Sequence, residues 1–529
     1  MTNLAGTGGL IRLILRRDRI VLPLWIVLLC AIPMSYVQSY GDLFPTAESR
    51  RTYANNAGFI TLYGELSGTS LGEFVTWRLG FVPVMIGLIS LLTVIRHTRV
   101  EEETGRSELL RSSIVGRHAQ LAAALIAIFG ANLLLAVLLA LGMHSQDLPW
   151  GGSVAIGIEF AVTGWLFAAV GAVAAQLTAS AGTARGIAIS VLGAAYVLRA
   201  AGDTSEHTDG PLAWLSWLSP IAWAQRIHPY GENRWGLGIL VLVATVVPVA
   251  AALYLSVRRD VGAGLLPARP GPAEGRLGSP LALAWRLHRG LLAAWSVGFA
   301  LLGLLFGGVA EGVGDMMRDD PKIQEIFARL GGSTGLIDSF LAGVMTIVGL
   351  IASAYAVQAT LRLRTEEASG RAEPVLATAT SRLRWAGSHL AFSLLGPALA
   401  LLAAGVAEGI AYGSAIGDVG GQLPRLIGAS LAQLPAVWVL AAIAIAIFGL
   451  LPRLSSIAWA GPSICLLIGL VSGGVELDDW VRGISPFSHL PQLPGGSTSA
   501  APLITLLAIA AALGVAGLLG LRRRDMPVG

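Results

Sequence analysis

Two stretches of this chain decide its fold: RVEEETGRSELLRSS, from Arg99 to Ser113, and RTEEASGRAEPVLAT, from Arg364 to Thr378. The second follows the first at an offset of 265 residues, the difference between positions 364 and 99. At this offset six positions match, namely Arg99 with Arg364, Glu101 with Glu366, Glu102 with Glu367, Gly105 with Gly370, Arg106 with Arg371 and Glu108 with Glu373. The Arg-Arg-Asp sequence at 258–260 aligns in the same way with that at 523–525. A tandem duplication is the simplest interpretation.

Both stretches lie in strongly apolar surroundings. Of the 529 residues, 54% are hydrophobic and 13% are charged, which is more apolar side chain than one soluble core can enclose. The chain is therefore predicted to be a polytopic membrane protein in contact with a lipid bilayer. Its net charge of +4 comes almost entirely from arginines in short clusters between apolar runs, which argues against nucleic acid as a partner.

The apolar runs predict the number of membrane spans. A helix needs about 20 apolar residues to cross the hydrocarbon core, and the sequence contains twelve such segments, six in each half. They lie near 20–40, 79–96, 118–143, 153–178, 184–200, 236–257, 290–310, 341–361, 386–413, 426–449, 453–473 and 501–521. Because each half has an even number of spans, both halves insert in the same orientation, as a parallel repeat.

The predicted fold is therefore an all-α polytopic membrane protein of twelve transmembrane helices. The first six-helix half covers 1–260 and the second covers 281–529. Between them, residues 261–280 are rich in Gly and Pro and are predicted to form a cytoplasmic linker.

The distribution of arginine predicts the orientation. Arginines concentrate in alternate segments, including 12–19, 96–117, 258–289 and 362–384, whereas the intervening loops contain more Asp and Glu. Positively charged loops stay on the cytoplasmic side, so both termini are predicted to be cytoplasmic, in a bacterial plasma membrane. The arginines that do not fit this alternation include Arg199, Arg226, Arg234, Arg425 and Arg482.

The matched glutamates at 101, 102, 366 and 367 need an explanation other than topology, which acidic residues hardly affect. Carboxylates in the first turn of a short helix are stabilised by its dipole, and Gly105 and Gly370 allow a sharp turn. This pattern predicts a compact charged knob presented to the cytoplasm. A solvated loop with self-neutralising charges is the alternative.

Two further elements occur in both halves. Arg12, Arg16 and Arg19 share one face of a predicted interfacial helix, of which 281–289 is a weaker copy. The helix either anchors the chain or transmits motion. Aromatic residues with a Ser-Pro pair precede the last span of each half, at 214–235 and 480–496, and predict an outer re-entrant or surface-lying hairpin, with an ordinary aromatic loop as the alternative.

Isolated carboxyl groups in or near spans are the remaining chemical candidates. Glu159, Glu311 and Glu408 either line a vestibule and support structure, or carry a proton or a cationic substrate. The sequence contains no metal-ligand spacing and no paired catalytic motif. The phosphate-binding loop of ATPases requires a lysine, and the only lysine is Lys322, in a predicted outer loop. The chain is therefore predicted not to hydrolyse ATP itself and to hold no cofactor.

This doubled architecture resembles the permeases of ABC-2-type exporters, in particular the fused actinobacterial permeases of the polyketide antibiotic exporter group. The resemblance covers essentially the whole chain. It implies that the loop between the second and third spans of each half forms a coupling helix that contacts an ATPase. The coupling residues would be Arg99, Glu101, Glu102, Gly105, Arg106 and Glu108 in the first half, and Arg364, Glu366, Glu367, Gly370, Arg371 and Glu373 in the second.

The same resemblance implies the partners. One permease would bind two copies of a separate P-loop ATP-binding subunit, which holds the ATP and magnesium. It also implies a central substrate cavity lined by Phe81, Met85, Tyr196, Met345 and Trp459, although each of these residues can equally be a helix-packing residue. Glu103 is replaced by Ala368 and Leu109 by Pro374 in the second copy, so the two ATPase contacts need not be equivalent.

The resulting interpretation is an exporter subunit that moves hydrophobic or amphipathic compounds, such as an antibiotic, a drug or a lipid, out of the cell. A twelve-helix secondary transporter driven by protons or sodium is the main alternative, because such proteins also have parallel repeats. A membrane scaffold or membrane-embedded enzyme is a third alternative, disfavoured because no reactive constellation is present.

Overall fold

The structure is a computed structural model. It describes residues 3–54, 57–106, 115–207, 210–260, 262–266, 277–319, 333–472, 478–496 and 499–525. The chain divides into two compact units, Met1–Pro270 and Gly271–Gly529.

The first unit contains twelve α-helices in the described residues. They are α1 Thr7–Arg17, α2 Val21–Leu43, α3 Ala47–Ala54, α4 Ala57–Tyr63, α5 Leu71–Arg78, α6 Val82–His97, α7 Arg99–Glu103, α8 Ala119–His144, α9 Trp150–Leu177, α10 Ala181–His207, α11 Pro220–Gln225 and α12 Trp235–Arg258. A 3-10 helix, Ala213–Leu218, precedes α11.

The second unit contains nine α-helices in its described part. They are α13 Pro280–Asp319, α14 Ser333–Ala368, α15 Ala372–Leu376, α16 Arg382–Ala415, α17 Val419–Leu431, α18 Leu434–Leu450, α19 Ala460–Ser472, α20 Asp479–Arg482 and α21 Ala500–Arg523. Two 3-10 helices, Pro452–Trp459 and Pro486–His489, lie before α19 and after α20. Neither unit has a β-strand in its described residues.

The described residues include eleven helical stretches that are long and apolar enough to cross a membrane. They are Val21–Leu43, Val82–Glu103, Ala119–His144, Trp150–Leu177, Ala181–His207, Trp235–Arg258, Pro280–Gly308, Ile337–Ala368, Arg382–Ala415, Val419–Leu450 and Ala500–Arg523. Each corresponds to one of the twelve predicted spans. The predicted segment near 453–473 is a 3-10 helix followed by α19, which reaches the limit of the described residues at position 472. Twelve spans therefore remain a prediction, whereas an all-α, multi-pass membrane protein is established.

Small residues set the packing of the first unit. α9 is its most buried long helix. An added Cβ on Gly157 would lie 2.6 Å from the carbonyl oxygen of Ala136 on α8, and one on Gly171 would lie 2.8 Å from that of Leu91 on α6. Only glycine permits such close backbone approach, which is typical of helix pairs in membranes. α9 is thereby fixed between α6 and α8.

The second unit is packed in the same manner, and the outer faces are apolar. Gly303 of α13 faces the backbone of Ala404, and Gly396 faces the ring of Tyr355 on α14. In the first unit, Ile239 and Val246 are each 61% exposed on α12. An exposed aliphatic face on a helix that could cross the membrane is the expected surface for lipid contact.

A helix is present where the interfacial helix is predicted at the start of the chain, but 281–289 is not a separate helix. The position of α1 at a membrane surface stays a prediction. Leu10 and Ile14 of α1 pack against the start of α8. α1 ends at Arg17, and the carboxylate of Asp18 then binds the side chains of His97 and Arg96. Residues 281–289 instead belong to the continuous helix α13. Arg16 and Arg19 align with Arg286 and Arg289 at an offset of 270 residues, and in this alignment His288 takes the place of Asp18. The acidic residue that fixes the chain beyond α1 is therefore missing in the second unit.

The Ser-Pro pairs begin short helices rather than ending them. The Ser219 hydroxyl accepts a hydrogen bond from the amide of Ala222, and Pro220 occupies the first position of α11. Pro486 likewise starts a 3-10 helix. Proline is favoured there because the first helical residue has no intrahelical use for its amide hydrogen. Entry of these segments into a bilayer stays a prediction.

Candidate functional site

The repeated loops begin in the same way in both units. α7 continues the line of α6 through Glu103, and the chain then turns at Gly105, whose φ is 73°. In the second unit α14 runs to Ala368, and the chain turns at Gly370, whose φ is 69°. The predicted sharp turns are therefore present, and both require the left-handed conformation that favours glycine. Glu108 lies outside the described residues.

One glutamate in each loop is clamped by an arginine at the end of the last helix of the same unit. Arg259 donates to both oxygens of Glu102, with each distance 2.6 Å. Arg524 donates to both oxygens of Glu367, with each distance 2.7 Å. Such bidentate pairs are short, directional and stronger than neutral hydrogen bonds. They fasten each loop to the end of the last helix of its unit.

The other glutamate of each loop is held by arginines near the loop. Glu101 forms ion pairs with Arg17, at the end of α1, and with Arg106, at 3.5 Å. Glu366 accepts hydrogen bonds from Arg362 at 2.8 Å and from Arg371 at 2.9 Å. The pair formed by residues 101 and 106 therefore has a counterpart in the pair formed by residues 366 and 371.

The four glutamates point inward. Glu101, Glu102, Glu366 and Glu367 are between 5% and 9% exposed, and their partners are residues of the same unit. They form the base of each loop and not its exposed surface, which the sequence alone did not reveal. Arg106 and Arg371, at matched positions after the glycine turns, have more than half of their side-chain surface exposed. Glu373 lies in the first turn of α15, the short helix after the second turn.

The two loops differ at Glu103 and Ala368. The carboxylate of Glu103 accepts a hydrogen bond from the backbone amide of Ala181, the first residue of α10, at 2.9 Å. A carboxylate at a helix start is favoured by the unpaired amides there. Ala368 has no side chain that can make this contact. The first loop is thus attached to the fifth span through a bond that the second loop cannot form at this position.

Arg99 also attaches the first loop to the linker. Its guanidinium is fully buried, binds Glu102 at 2.7 Å and donates to the carbonyl oxygens of Gly262 and Ala263 at 2.8 and 3.0 Å. Arg364, its counterpart, is half-buried. The first loop, the last span and the start of the linker therefore form one connected polar cluster.

The residues predicted to line a substrate cavity are in different surroundings. Phe81 and Tyr196 contact each other with ring centroids 5.7 Å apart and planes perpendicular, and Met85 lies one turn from Phe81 with 39% exposure. Met345 is fully buried against the core of its own unit, where it packs rather than lines an open space. Trp459 is exposed at the end of a 3-10 helix.

A polar cavity of about 530 Å³ lies in the first unit, at the end of α6 opposite to the repeated loop. We call it the polar vestibule. Its wall comes from α5, α9, α10, α11 and the connecting segments 63–67 and 225–234. Sequence reasoning missed it because its residues are spread over more than 150 positions. The capping box formed by Ser70 and Glu73 at the start of α5 was a usable signal for one of its helices.

Arginines that did not fit the charge alternation are paired at this vestibule. Arg226 binds Glu206 at 2.6 Å, and Arg234 binds Glu232 at 2.5 Å. Burial, followed by the nearby charge of Arg234, lowers the pKa of His228 below 6.5. Arg425 in the second unit is likewise paired, with Asp338 at 2.5 Å. These arginines serve local ion pairs, which explains their departure from the topological pattern.

Two of the three isolated carboxyl groups are buried. Glu159 lines the polar vestibule and is 2% exposed, and its Oε2 has no hydrogen-bond partner among the described residues. Glu408 is fully buried, and neither carboxyl oxygen has a partner in that part of the chain. The side chain of Glu311 lies outside the described residues.

A pair of buried histidines in the second unit was also missed. His288 Nε2 and His389 Nδ1 are 3.0 Å apart, and His288 stacks on Phe392. The residues are separated by 101 positions, so neither shows metal-ligand spacing in the sequence. Among the described residues, no group of three or more His, Cys, Asp or Glu side chains is arranged to hold a metal ion.

Comparison with known proteins gives two findings. Residues 277–522 match the family described as the multidrug efflux system permease Rv1217c, C-terminal domain. Over 536 aligned residues, the chain is 43% identical to the multidrug efflux system permease protein Rv1217c of Mycobacterium tuberculosis, and the alignment covers 99% of this chain and 96% of that protein.

Proposed function

Because the chain belongs to the family of the multidrug efflux permease Rv1217c, we propose that it is the transmembrane subunit of an ABC exporter. It moves hydrophobic or amphipathic compounds, such as drugs, antibiotics or lipids, out of a bacterial cell across the plasma membrane. A separate ATP-binding protein hydrolyses the ATP, with its magnesium. The name of the mycobacterial relative, a multidrug efflux permease, supports the transport of drugs. The alignment over nearly the full length of both proteins supports a shared architecture.

The observation that carries the proposal is the repeated clamp at the base of the loops. Glu102 with Arg259 and Glu367 with Arg524 are the same contact at the same offset of 265 residues. This recurrence supports two six-helix halves of common origin, twelve spans in total, and two equivalent places for a partner. One permease would then bind two copies of the ATPase, and both chain termini would face the cytoplasm.

The clamp also suggests how the closure of the ATPases is transmitted. Each loop is fixed to the last span of its half by the glutamate that follows the second span. A push on the exposed Arg106 or Arg371 would therefore displace three connected elements together: the second span, the loop and the sixth span. In the first half, Glu103 extends this connection to the fifth span. Rigid ionic networks suit such transmission because they resist deformation.

The test is reconstitution of the full chain in vesicles with and without its candidate ATPase. We expect ATP-dependent uptake of a fluorescent drug into inside-out vesicles only when both proteins are present. The matched control is the ATPase with its phosphate-binding lysine replaced by alanine, which should abolish uptake. Uptake by the permease alone, driven by an ion gradient, would contradict the proposal.

The buried carboxyl groups of Glu159 and Glu408 favour the second candidate function, an ion-driven transporter. Carboxyl groups inside membrane proteins are costly and often carry protons or ions. This candidate predicts that an ionophore which collapses the proton gradient stops uptake. If the protein is an ATP-driven exporter, uptake should continue in the presence of the ionophore as long as ATP is supplied.

A further inference from the structure

The polar vestibule has a strongly uneven charge. Among the described residues, six carboxyl groups line it, whereas two arginines, Arg226 and Arg234, and one histidine do so. An excess of one charge in a cleft with low-dielectric walls attracts ligands of the opposite sign. The vestibule therefore disfavours anions and favours cations.

Most of these carboxyl groups have partners. Glu232 binds Arg234 at 2.5 Å and Glu206 binds Arg226 at 2.6 Å. Asp203 lies 3.6 Å from both Arg199 and Arg226. The remaining two at the mouth are also engaged: Glu73 accepts hydrogen bonds at the start of α5, and Glu65 lies 3.6 Å from His207.

Glu159 is different. Within the described residues its side chain forms no ion pair, and its Oε2 has no hydrogen-bond partner, although the side chain is 2% exposed. Burial of a carboxylate without a partner is strongly unfavourable, because even a neutral polar group loses its hydrogen bonds to water there. The side chain lines the vestibule, nine residues into α9 from Trp150, and so marks its inner end. Exposed carboxylates at the mouth and one carboxyl without a partner at the base define an acidic path along which a cation can enter.

We propose that the polar vestibule binds organic cations of drug size, with Glu159, which gives up its proton to water when the cation binds, as the carboxylate that compensates their charge. The inference rests on the proposed function as a drug exporter and specifies one class of compound. The volume of about 530 Å³ falls within the roughly 300–1,000 Å³ of small-molecule sites. Trp77, Tyr63 and Trp217 provide an aromatic wall, a surface that suits the apolar part of such a cation.

An inorganic cation fits this site less well. Calcium and magnesium require about six or more oxygen ligands at short distance, whereas Glu159 is the single unpartnered carboxyl at the base of the vestibule in the described residues. The cavity is also much larger than a metal ion. An organic cation fills the space and needs only one counter-charge.

Equilibrium binding to the permease alone tests the proposal. The full chain is placed in nanodiscs of uncharged phosphatidylcholine, and binding of radiolabelled tetraphenylphosphonium is measured by dialysis. We expect saturable binding that weakens by about tenfold or more in Glu159→Gln, since tenfold corresponds to about 1.4 kcal/mol. Glu48→Gln, on the exposed first turn of α3 and outside the vestibule wall, should bind within about twofold of the unmodified chain because an exposed, screened charge contributes little. Triphenylphosphine oxide, a neutral compound of similar size, should compete only weakly.

Absence of saturable binding to the unmodified chain, or equal binding by Glu159→Gln, would overturn the proposal. If Glu159→Gln does not fold, a photoactivatable azide derivative of the same cation decides the matter in the unmodified chain. Its crosslinks should map to segments 63–80 and 217–234, and crosslinks confined elsewhere would refute the site. Because the assay needs neither ATP nor a partner, its failure leaves ATP-driven transport untouched.

Discussion

The guanidinium of Arg259 binds both carboxylate oxygens of Glu102, each at 2.6 Å, across 157 positions of the chain. Both side chains are nearly fully buried. Removal of one partner from a buried ion pair leaves an uncompensated charge, which is strongly destabilising. The clamp is therefore expected to matter for stability as well as for coupling.

Arg259→Ala should lower the stability of the permease by about 3 kcal/mol, near the lower end of measured values for buried pairs, because Arg99 still contacts Glu102. The midpoint of thermal unfolding in nanodiscs, followed by tryptophan fluorescence, measures the effect. Arg524→Ala should behave similarly in the second unit. Arg234→Ala, which breaks an exposed pair, is the control and should leave the midpoint unchanged. Equal midpoints for Arg259→Ala and the control would show that the clamp does not stabilise the fold.

Combined neutralisation of Glu101 and Glu366 should uncouple the ATPase from transport. These carboxylates hold Arg106 and Arg371 at the base of the exposed surface of each loop, so Glu101→Gln with Glu366→Gln loosens both contacts at once. We expect basal ATP hydrolysis to persist while stimulation by substrate falls by about tenfold, equivalent to a coupling loss of about 1.4 kcal/mol. ATPase activity of the reconstituted complex, with and without drug, measures this ratio. Full stimulation in the double variant would refute the role.

The difference between Glu103 and Ala368 predicts unequal loops. Glu103→Ala removes the acceptor for the amide of Ala181, so the first turn of α10 should open more often. Hydrogen exchange at the amides of 181–184 should become faster by about threefold or more, since a lost hydrogen bond is worth roughly 0.5–1.5 kcal/mol. Exchange at the start of α8 serves as the internal control. Unchanged exchange at Ala181 would mean that the bond does not hold the helix start.

Hydropathy alone predicted most of the spans to within a few residues. The segment predicted at 118–143 is α8, Ala119–His144, and that predicted at 236–257 is α12, Trp235–Arg258. Larger errors occur where a helix extends into polar sequence. α14 begins at Ser333 and ends at Ala368, beyond the predicted 341–361. Its last turns are polar and are stabilised by ion pairs, such as that of Arg362 with Glu366 at 2.8 Å, rather than by apolar side chains.

The site was less predictable for a physical reason. The internal repeat identified the glutamates of the loops. Glu102 and Glu367, however, are paired in the interior with arginines 157 positions away, and the sequence does not show which charges meet. The segment between the first two spans was overlooked because its aromatic cluster is held by Arg78, which lies 4.5 Å from the ring centroid of Tyr63. A single charge among aromatic residues looks like an ordinary loop when the contacts are unknown. The family resemblance, in contrast, is confirmed by the mycobacterial relative.

The lowered pKa of His228 predicts a pH dependence of stability. Burial is the main cause, and the nearby Arg234 adds to it. The unfolded chain therefore binds a proton more readily than the folded one between the lowered pKa and 6.5, so stability is full above pH 6.5 and declines as the pH falls through this window. His228→Asn, which tolerates the local φ of 51°, should flatten the decline. The midpoint of thermal unfolding is measured from pH 7.5 to 5.5 in the unmodified chain and in His228→Asn. An equal decline in both would show that His228 is not the source of the pH dependence.

The carboxyl group of Glu408 is fully buried, and neither of its oxygens has a hydrogen-bond partner among the described residues. A charged form there is costly, so the structure favours a protonated carboxyl, for which glutamine is a close substitute. Glu408→Gln should therefore retain the unfolding midpoint and ATP-driven transport, whereas Glu408→Lys, which buries an unpaired charge, should prevent stable expression. An ion-driven transporter that cycles protons through this group would instead lose activity on the glutamine change while remaining folded. Drug uptake by reconstituted Glu408→Gln, compared with its melting curve, separates the two mechanisms.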